Sequence, residues 1–157
     1  MGVSASRRWL PAALALTALL LAGVAEGQSA RVTATAGLVS KQAGGSASWT
    51  PCRLGTTFGP GDRLRTAERS RAQLTFADGS IVRVGERSDL TVGAGVDAVK
   101  LQKGSLYGKF AKGAGATIGG RSAVAAVKGT VIEFIIEKDG TEVIRCHAGE
   151  VEVSRAP

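Results

Sequence analysis

Two cysteines, one histidine and a few acidic pairs are the residues through which this chain could do chemistry. Cys146 and His147 are adjacent, a pairing that could form a thiol–imidazole dyad. They lie, however, in an apolar-alternating run, and neighbours on a strand project to opposite faces. Cys146 shares its face with Ile144 and is expected to point inward, where its thiol would be inert. One histidine cannot supply a His-rich zinc site, and the cysteines are far apart in sequence. Glu150 with Glu152, and Asp78 with Asp139 if their turns meet, are the candidate paired carboxylates. Nothing apolar beside them would raise a carboxyl pKa or build a cleft, so both pairs read as polar surface. The serine elbow G-x-S-x-G is absent. These residues therefore give no catalytic, metal or cofactor assignment.

Two glycine-rich stretches invite a nucleotide reading. Gly93, Gly95 and Ala98 spell G-x-G-x-x-A after an expected strand, but VKLQKGSLYG follows as another strand rather than the helix a pyrophosphate site requires. KGAGATIGG from Lys112 lacks the Lys-Ser or Lys-Thr pair that closes a phosphate loop. Both read as connections between strands.

The elements that must position any site begin after a targeting segment. Arg7 and Arg8 precede an apolar run from Trp9 to Ala25, followed by the small-residue stretch GVAEG. That order is a secretory signal peptide over residues 1–27, shorter than the roughly 20 apolar residues of a spanning helix. Removing Arg7, Arg8 and Glu26 lowers the net charge from +7 to +6, leaving residues 28–157 as one basic, exported domain. Export removes most access to nucleic acid and favours anionic wall polymers, lipid headgroups or acidic proteins. With 4% aromatic residues there are few rings on which bases could stack, and no nucleic-acid partner is expected. The oxidising compartment permits a disulfide between Cys52 and Cys146, which would close a long loop and stabilise by about 2–5 kcal/mol. The alternative is two buried free thiols.

Beyond residue 27 the chain alternates apolar and polar residues in short runs broken by Gly, Asp, Ser and Pro, a pattern of strands. Expected strands are RVTATAGLV, DRLRT, RAQLTF, SIVRV, DLTV, DAVKLQ, SLYGKF, RSAVAAV, TVIEFIIE, TEVIRCHA and EVEVS. Ala72, Leu74 and Phe76 should share an inner face, as should Val82 with Val84 and Ile132 with Phe134 and Ile136. One apolar face per strand implies an all-β fold, a twisted antiparallel sheet rolled over one core. VIEFII is apolar on nearly both faces and is expected to be central and doubly covered. Asp78-Gly79 and Asp139-Gly140 are expected as two-residue hairpin turns. Arg63, Arg65, Arg69 and Arg71 form the densest charge cluster, diluted by Asp62 and Glu68. Arg63 and Arg65, with the lysines from Lys100 to Lys112 including Lys109 and Lys112, form the candidate face for an anionic partner. An exposed strand edge could also pair, though no residue marks which strand.

With these pieces placed, the chain resembles the FecR-type periplasmic domain. The matching segments are WTP at Trp49–Pro51, GDRLRT with Gly61, Asp62 and Thr66, LTFADGS, LQKG ending at Gly104, VKGT with Lys128, Gly129 and Thr130, and GEVEV from Gly149. The resemblance implies a solenoid-like or sandwich-like all-β domain that receives a signal from an outer-membrane protein and regulates a sigma factor through a spanning helix. It implies a non-enzymatic binding role in the envelope, with a protein partner first and an anionic glycan or lipid as the alternative. Neither a spanning helix nor a cytoplasmic segment is read after the signal, so a free-standing exported module is expected. Cys146 stands where the family pattern has an aliphatic residue, which also suggests an inward position and a bridge to Cys52.

Overall fold

The computed structural model describes residues 29–94, 97–113 and 115–157. The expected signal peptide lies outside them, and among the described residues no helix is long and apolar enough to cross a membrane. The strands are β1 (Ala30–Ala36), β2 (Val39–Gln42), β3 (Trp49–Pro51), β4 (Thr57–Phe58), β5 (Arg63–Thr66) and β6 (Arg71–Phe76). They continue as β7 (Ile81–Val84), β8 (Asp89–Val92), β9 (Asp97–Lys109), β10 (Gly115–Gly119), β11 (Ala123–Ile136) and β12 (Glu142–Arg155).

All twelve belong to one sheet, ordered β3-β2-β5-β8-β9-β7-β6-β1-β4, with β10, β11 and β12 extending from β9. The sheet curls into a half-barrel because β9 changes partners along its length. Its first half pairs with β8 and its second with β7, while β10 and β11 take the other side. Inside the curl lie Leu64, Leu74, Val82, Leu90, Leu101, Leu106, Ile118, Ile132 and Phe134, all at most 1% exposed. Burial of these side chains, each contributing about 1.5–3 kcal/mol, is the main drive to close the sheet.

Alternation places Ala72, Leu74, Phe76, Val82, Val84, Ile132, Phe134 and Ile136 in the core, as read from sequence. Several boundaries differ. RVTATAGLV is two strands, split at Gly37, whose φ of 74° turns the chain where Ser70 packs against it. DAVKLQ and SLYGKF fuse into β9, RSAVAAV and TVIEFII into β11, and TEVIRCHA and EVEVS into β12. The glycines that seemed to end these strands bend them instead. One pair of strands in the sheet is parallel, β10 beside the first half of β9, where a wholly antiparallel sheet was expected. β11 is central, between β9 and β12, but its outer residues Val131, Glu133 and Ile135 are half-buried, with no second layer over them.

The β11/β12 bend explains the KGT and GEV segments. The register slips on both sides of Val131, opposite Ala148. Thr130 is fully buried there: its Oγ1 donates to Glu150 O at 2.7 Å and accepts from Lys128 N at 3.1 Å. Gly149 has φ 87°, and a Cβ would stand 2.8 Å from Gly129 O and 3.0 Å from Thr130 Cα. Only glycine permits both the conformation and the approach.

Both Asp-Gly turns are three-residue loops, not two. In Ala77-Asp78-Gly79, Phe76 N donates to Ser80 O and Gly79 N to Phe76 O. In Lys138-Asp139-Gly140, Glu137 N donates to Thr141 O and Gly140 N to Glu137 O. Each aspartate accepts from the amide two residues on, Ser80 N at 2.8 Å and Thr141 N at 2.9 Å, an Asx arrangement that selects the longer loop. The Thr141 amide holds the Asp139 carboxyl below its ordinary value.

Candidate site on the outer face

The polar residues left by alternation line the outer face of the curl, where they gather in two clusters. The first contains the arginines expected from sequence. Arg63 donates to Asp89 through Nε at 3.3 Å and Nη2 at 2.8 Å, and Arg65 Nη2 reaches the same carboxylate at 3.0 Å. Trp49, on β3 and reached across β2, lies under both guanidinium groups, 4.1 Å from Arg65 and 5.5 Å from Arg63 to the ring centroid. Register rather than sequence spacing builds this platform: Arg65 faces Asp89 across β5/β8, and Asp89 faces Lys103 across β8/β9. Lys100 lies in the row of Arg63 and Thr91. Lys109 stands at the far end of β9, opposite Ile81 and Val131, and Lys112 runs past Gly129, so neither joins the arginines.

Beside the platform, Asp62 fastens the chain. Its oxygens accept from Gly44 N at 2.8 Å and Gly59 N at 2.9 Å, and Lys41 Nζ lies 2.8 Å away. Burial alone would raise this carboxyl, but the Lys41 contact and the two amides outweigh it and hold the pKa below the ordinary value. Thr66 is buried and donates to Gly85 O at 2.6 Å while accepting from Ser88 N at 3.0 Å. Gly104, at φ 88°, leaves room for Ser88. Gly61, Asp62, Thr66, Gly104, Gly129, Thr130 and Gly149 are thus joints of the sheet, while Trp49 and Lys128 face outward.

The second cluster was missed by sequence reasoning. A trough of about 580 Å³ crosses β1, β6, β7, β9 and β11, lined by Arg71, Gln73, Arg83, Ser105, Tyr107 and Glu133 among others. Its high wall is one cross-strand row: Gln73 faces Arg83, Arg83 faces Tyr107, Tyr107 faces Glu133, and Glu133 faces Arg145. The row is stitched together. Gln73 donates to Thr33 at 3.0 Å and accepts from Arg83 Nε at 2.9 Å; Arg83 lies 5.9 Å from the Tyr107 ring; Glu133 accepts from Arg145 at 3.0 Å. His147 stands against both Tyr107, at 6.0 Å between rings, and Glu133, at 3.8 Å. The floor is made of small residues, Ala36, Gly85 and Ser105, which is why a trough exists.

Beside its Ala36, Arg71 and Gly85 end lie twin loops, Glu68-Arg69-Ser70 and Glu86-Arg87-Ser88. In each the arginine has positive φ, 52° and 51°, and the serine accepts an amide, from Leu38 and Ser105. They clasp each other: Arg69 N donates to Glu86 at 2.5 Å and Arg87 pairs with Glu68 at 2.8 Å. The repeated E-R-S triplet was the available sequence signal. Among the described residues no carboxylate lies within ion-pair distance of Arg71 or Arg83. The trough therefore offers two arginines outside any ion pair and an exposed ring, its one lining carboxylate, Glu133, being paired with Arg145.

The cysteines and carboxylates do not form a reactive site. Cys52 follows β3 at one end of the sheet path and Cys146 lies in β12, which hangs from β11 beyond β9, so both are free and the expected bridge does not form. Cys52 is half-buried against the core, and burial pushes its thiol up despite nearby Lys41. Cys146 shares the Ile144 face as expected but is exposed, because β12 is an edge that nothing covers there. The Asp78 and Asp139 turns sit at opposite ends of the β7/β9/β11 ladder and do not meet. Among the described residues no group of three His, Cys, Asp or Glu side chains could hold a metal ion. Gly95 of the G-x-G-x-x-A segment lies outside the described residues; Gly93 N donates to Ala98 O, and β9 rather than a helix follows.

No curated protein and no solved structure matches the chain. A family model described as FecR protein matches residues 62–152, more than half of the chain, and covers β6, β7, β9 and β11 of the trough but not β1. With its joints at the expected segments and this match across most of the sheet, the chain belongs to the FecR family.

Proposed function

We propose that the chain is an exported envelope module, residues 1–27 serving as its signal peptide, that works in sensing or regulation by binding a protein partner along the trough. Membership in a non-enzymatic regulatory family supports the class of activity. The observation that carries the choice of surface is that Arg71 and Arg83, neither of them in an ion pair among the described residues, line one trough with exposed Tyr107 on a face the rigid sheet preorganises. Aromatic and arginine side chains on such a surface are the usual anchors of protein recognition. The complementary surface is acidic, and it lies on an envelope or outer-membrane protein.

The test is a photoreactive phenylalanine analogue at position 107, irradiated in envelope preparations. A discrete protein adduct is expected, lost when Arg71 and Arg83 are both changed to Glu. Adducts from a probe at position 65 but none from position 107 would overturn the assignment. The same two arginines also suit an anionic glycan or lipid, because both present their forks to carboxylate or phosphate. Salt-sensitive binding to peptidoglycan or anionic vesicles, abolished by Arg71→Gln with Arg83→Gln, would favour that second reading over a protein partner.

A further inference from the structure

β12 leaves one edge of the sheet open. Its 14 residues pair with β11 on one side and, among the described residues, with no strand on the other. The ends of the main sheet path are the three-residue β3 and the two-residue β4, too short to template much. β12 instead presents about 45 Å of backbone donors and acceptors, and such an edge recruits another strand.

The side chains of β12 indicate which strand. The two halves, counted outward from the junction of Ala148 and Gly149, are complementary in reverse order. An identical β12 laid antiparallel about a two-fold axis at that junction sets Glu142 against Arg155, Arg145 against Glu152 and His147 against Glu150, each combination twice. The same register sets Ile144 against Val153 and Cys146 against Val151.

In a regular strand this register would fail, because an axis between consecutive residues pairs odd positions with even ones and so mixes the two faces. β12 is not regular. Val131 faces Ala148 and Ile132 faces Cys146, which makes His147 an extra residue that switches parity. Buried Ile136, Phe134 and Ile132 face Glu142, Ile144 and Cys146, whereas buried Val127 and Ala125 face Val151 and Val153. One face of β12 thus carries Glu142, Ile144, Cys146, Val151, Val153 and Arg155, and the other carries Arg145, His147, Glu150 and Glu152. Every self-pair falls within one face.

The apolar pairs also account for surface the single chain leaves bare. Val153 is 54% exposed and Cys146 is exposed, while Ile144 and Val151 only partly reach the core. A second β12 would cover all four and carry the core across the axis. We propose that the open edge is occupied by a second copy of this chain, giving an isologous dimer with one continuous sheet. The charges set its register and the apolar centre supplies its affinity.

The test uses the Cys52→Ser protein with Val151→Cys added. The introduced thiol then lies opposite Cys146 of the other copy, while within one chain the two are about 17 Å apart, too far to bridge. Mild oxidation is expected to give a covalent dimer, absent when Ser154→Cys, on the opposite face, replaces Val151→Cys. Sedimentation of the unmodified chain is expected to show a dimer whose dissociation constant rises about tenfold on Glu152→Lys, which turns two opposite-charge pairs into like-charge pairs. Circular dichroism checks that each variant folds. A chain that sediments as a monomer at high micromolar concentration, equal crosslinking through position 154, or an edge that captures only a foreign strand would overturn the proposal. Each readout is an oligomeric state or a crosslink between copies, so its failure is distinguishable from failure of partner capture at position 107.

Discussion

Two arginine pairs share the outer face of one sheet and have opposite fates. Arg63 and Arg65 converge on the Asp89 carboxylate and lie over Trp49. Arg71 and Arg83 line one trough with Tyr107, and neither has an ion-pair partner among the described residues. In the sequence the first pair looks the more available, because Arg63 and Arg65 are two residues apart on one strand face while Arg71 and Arg83 lie on separate strands. Register reverses this order. β8 brings a nearly buried carboxylate to Arg63 and Arg65, while β6, β7 and β9 bring only an amide, a ring and small residues to the second pair. Charge density along a chain is therefore a poor guide to charge available for binding, because the strand that neutralises an arginine can lie anywhere in the sequence.

The comparison can be broken at several points, with effects on stability of decreasing size. Gly149→Ala should have the largest, because it forces positive φ on an L-residue and drives a Cβ against Gly129 O. A loss on the order of 3 kcal/mol in chemical denaturation is expected, with the β11 register that forms the trough wall disturbed as well. Asp89→Ala should cost about 2 kcal/mol, since three charge-assisted hydrogen bonds disappear while the freed arginines remain partly solvated. It should also make the first cluster resemble the second, raising retention on a cation exchanger more than the single charge change of Glu68→Ala does.

Asp62→Asn is expected to cost about 1 kcal/mol, and its signature is in the pH dependence. The Asp62 pKa is lowered on folding, so its contribution is complete above the unfolded value and fades as pH falls through the folded one. The stability difference between wild type and Asp62→Asn should therefore be constant near neutrality and shrink below about pH 4. A difference that grew on acidification would show that the Lys41 contact does not govern this carboxylate. The smallest effect belongs to Arg71→Gln with Arg83→Gln, which should change stability by less than about 0.5 kcal/mol while weakening partner binding at least about tenfold. If that double variant unfolded more readily than Asp89→Ala, the two clusters would have exchanged roles.

How much was legible follows from the range over which each signal acts. Inward residues such as Leu74, Phe76, Val82 and Phe134 were readable because the two-residue period is a property of the strand itself. Turn positions were readable from Asp-Gly, but not loop length, which the aspartate oxygen helped to set by capturing the amide two residues ahead. Gly104, Gly129 and Gly149 read as strand ends in the sequence because positive φ is compatible with either a turn or a bulge, and only a partner strand distinguishes them. The trough was invisible for the same reason. Its wall joins residues 73, 83, 107, 133 and 145, which meet through four separate registers.

Short stretches of the chain are enough to establish an all-β fold, the residues that face its core, the places where it turns and, through six segments in order, the family it resembles. Each is a local property, carried by alternation, by turn chemistry or by a few consecutive residues. Which arginines remain available, that the cysteines stay apart, that three long strands bend instead of ending, and that β12 is left as an open edge all emerge only from the folded sheet. Those outcomes depend on which strands become neighbours, and pairing is chosen by closing one apolar core over the whole chain.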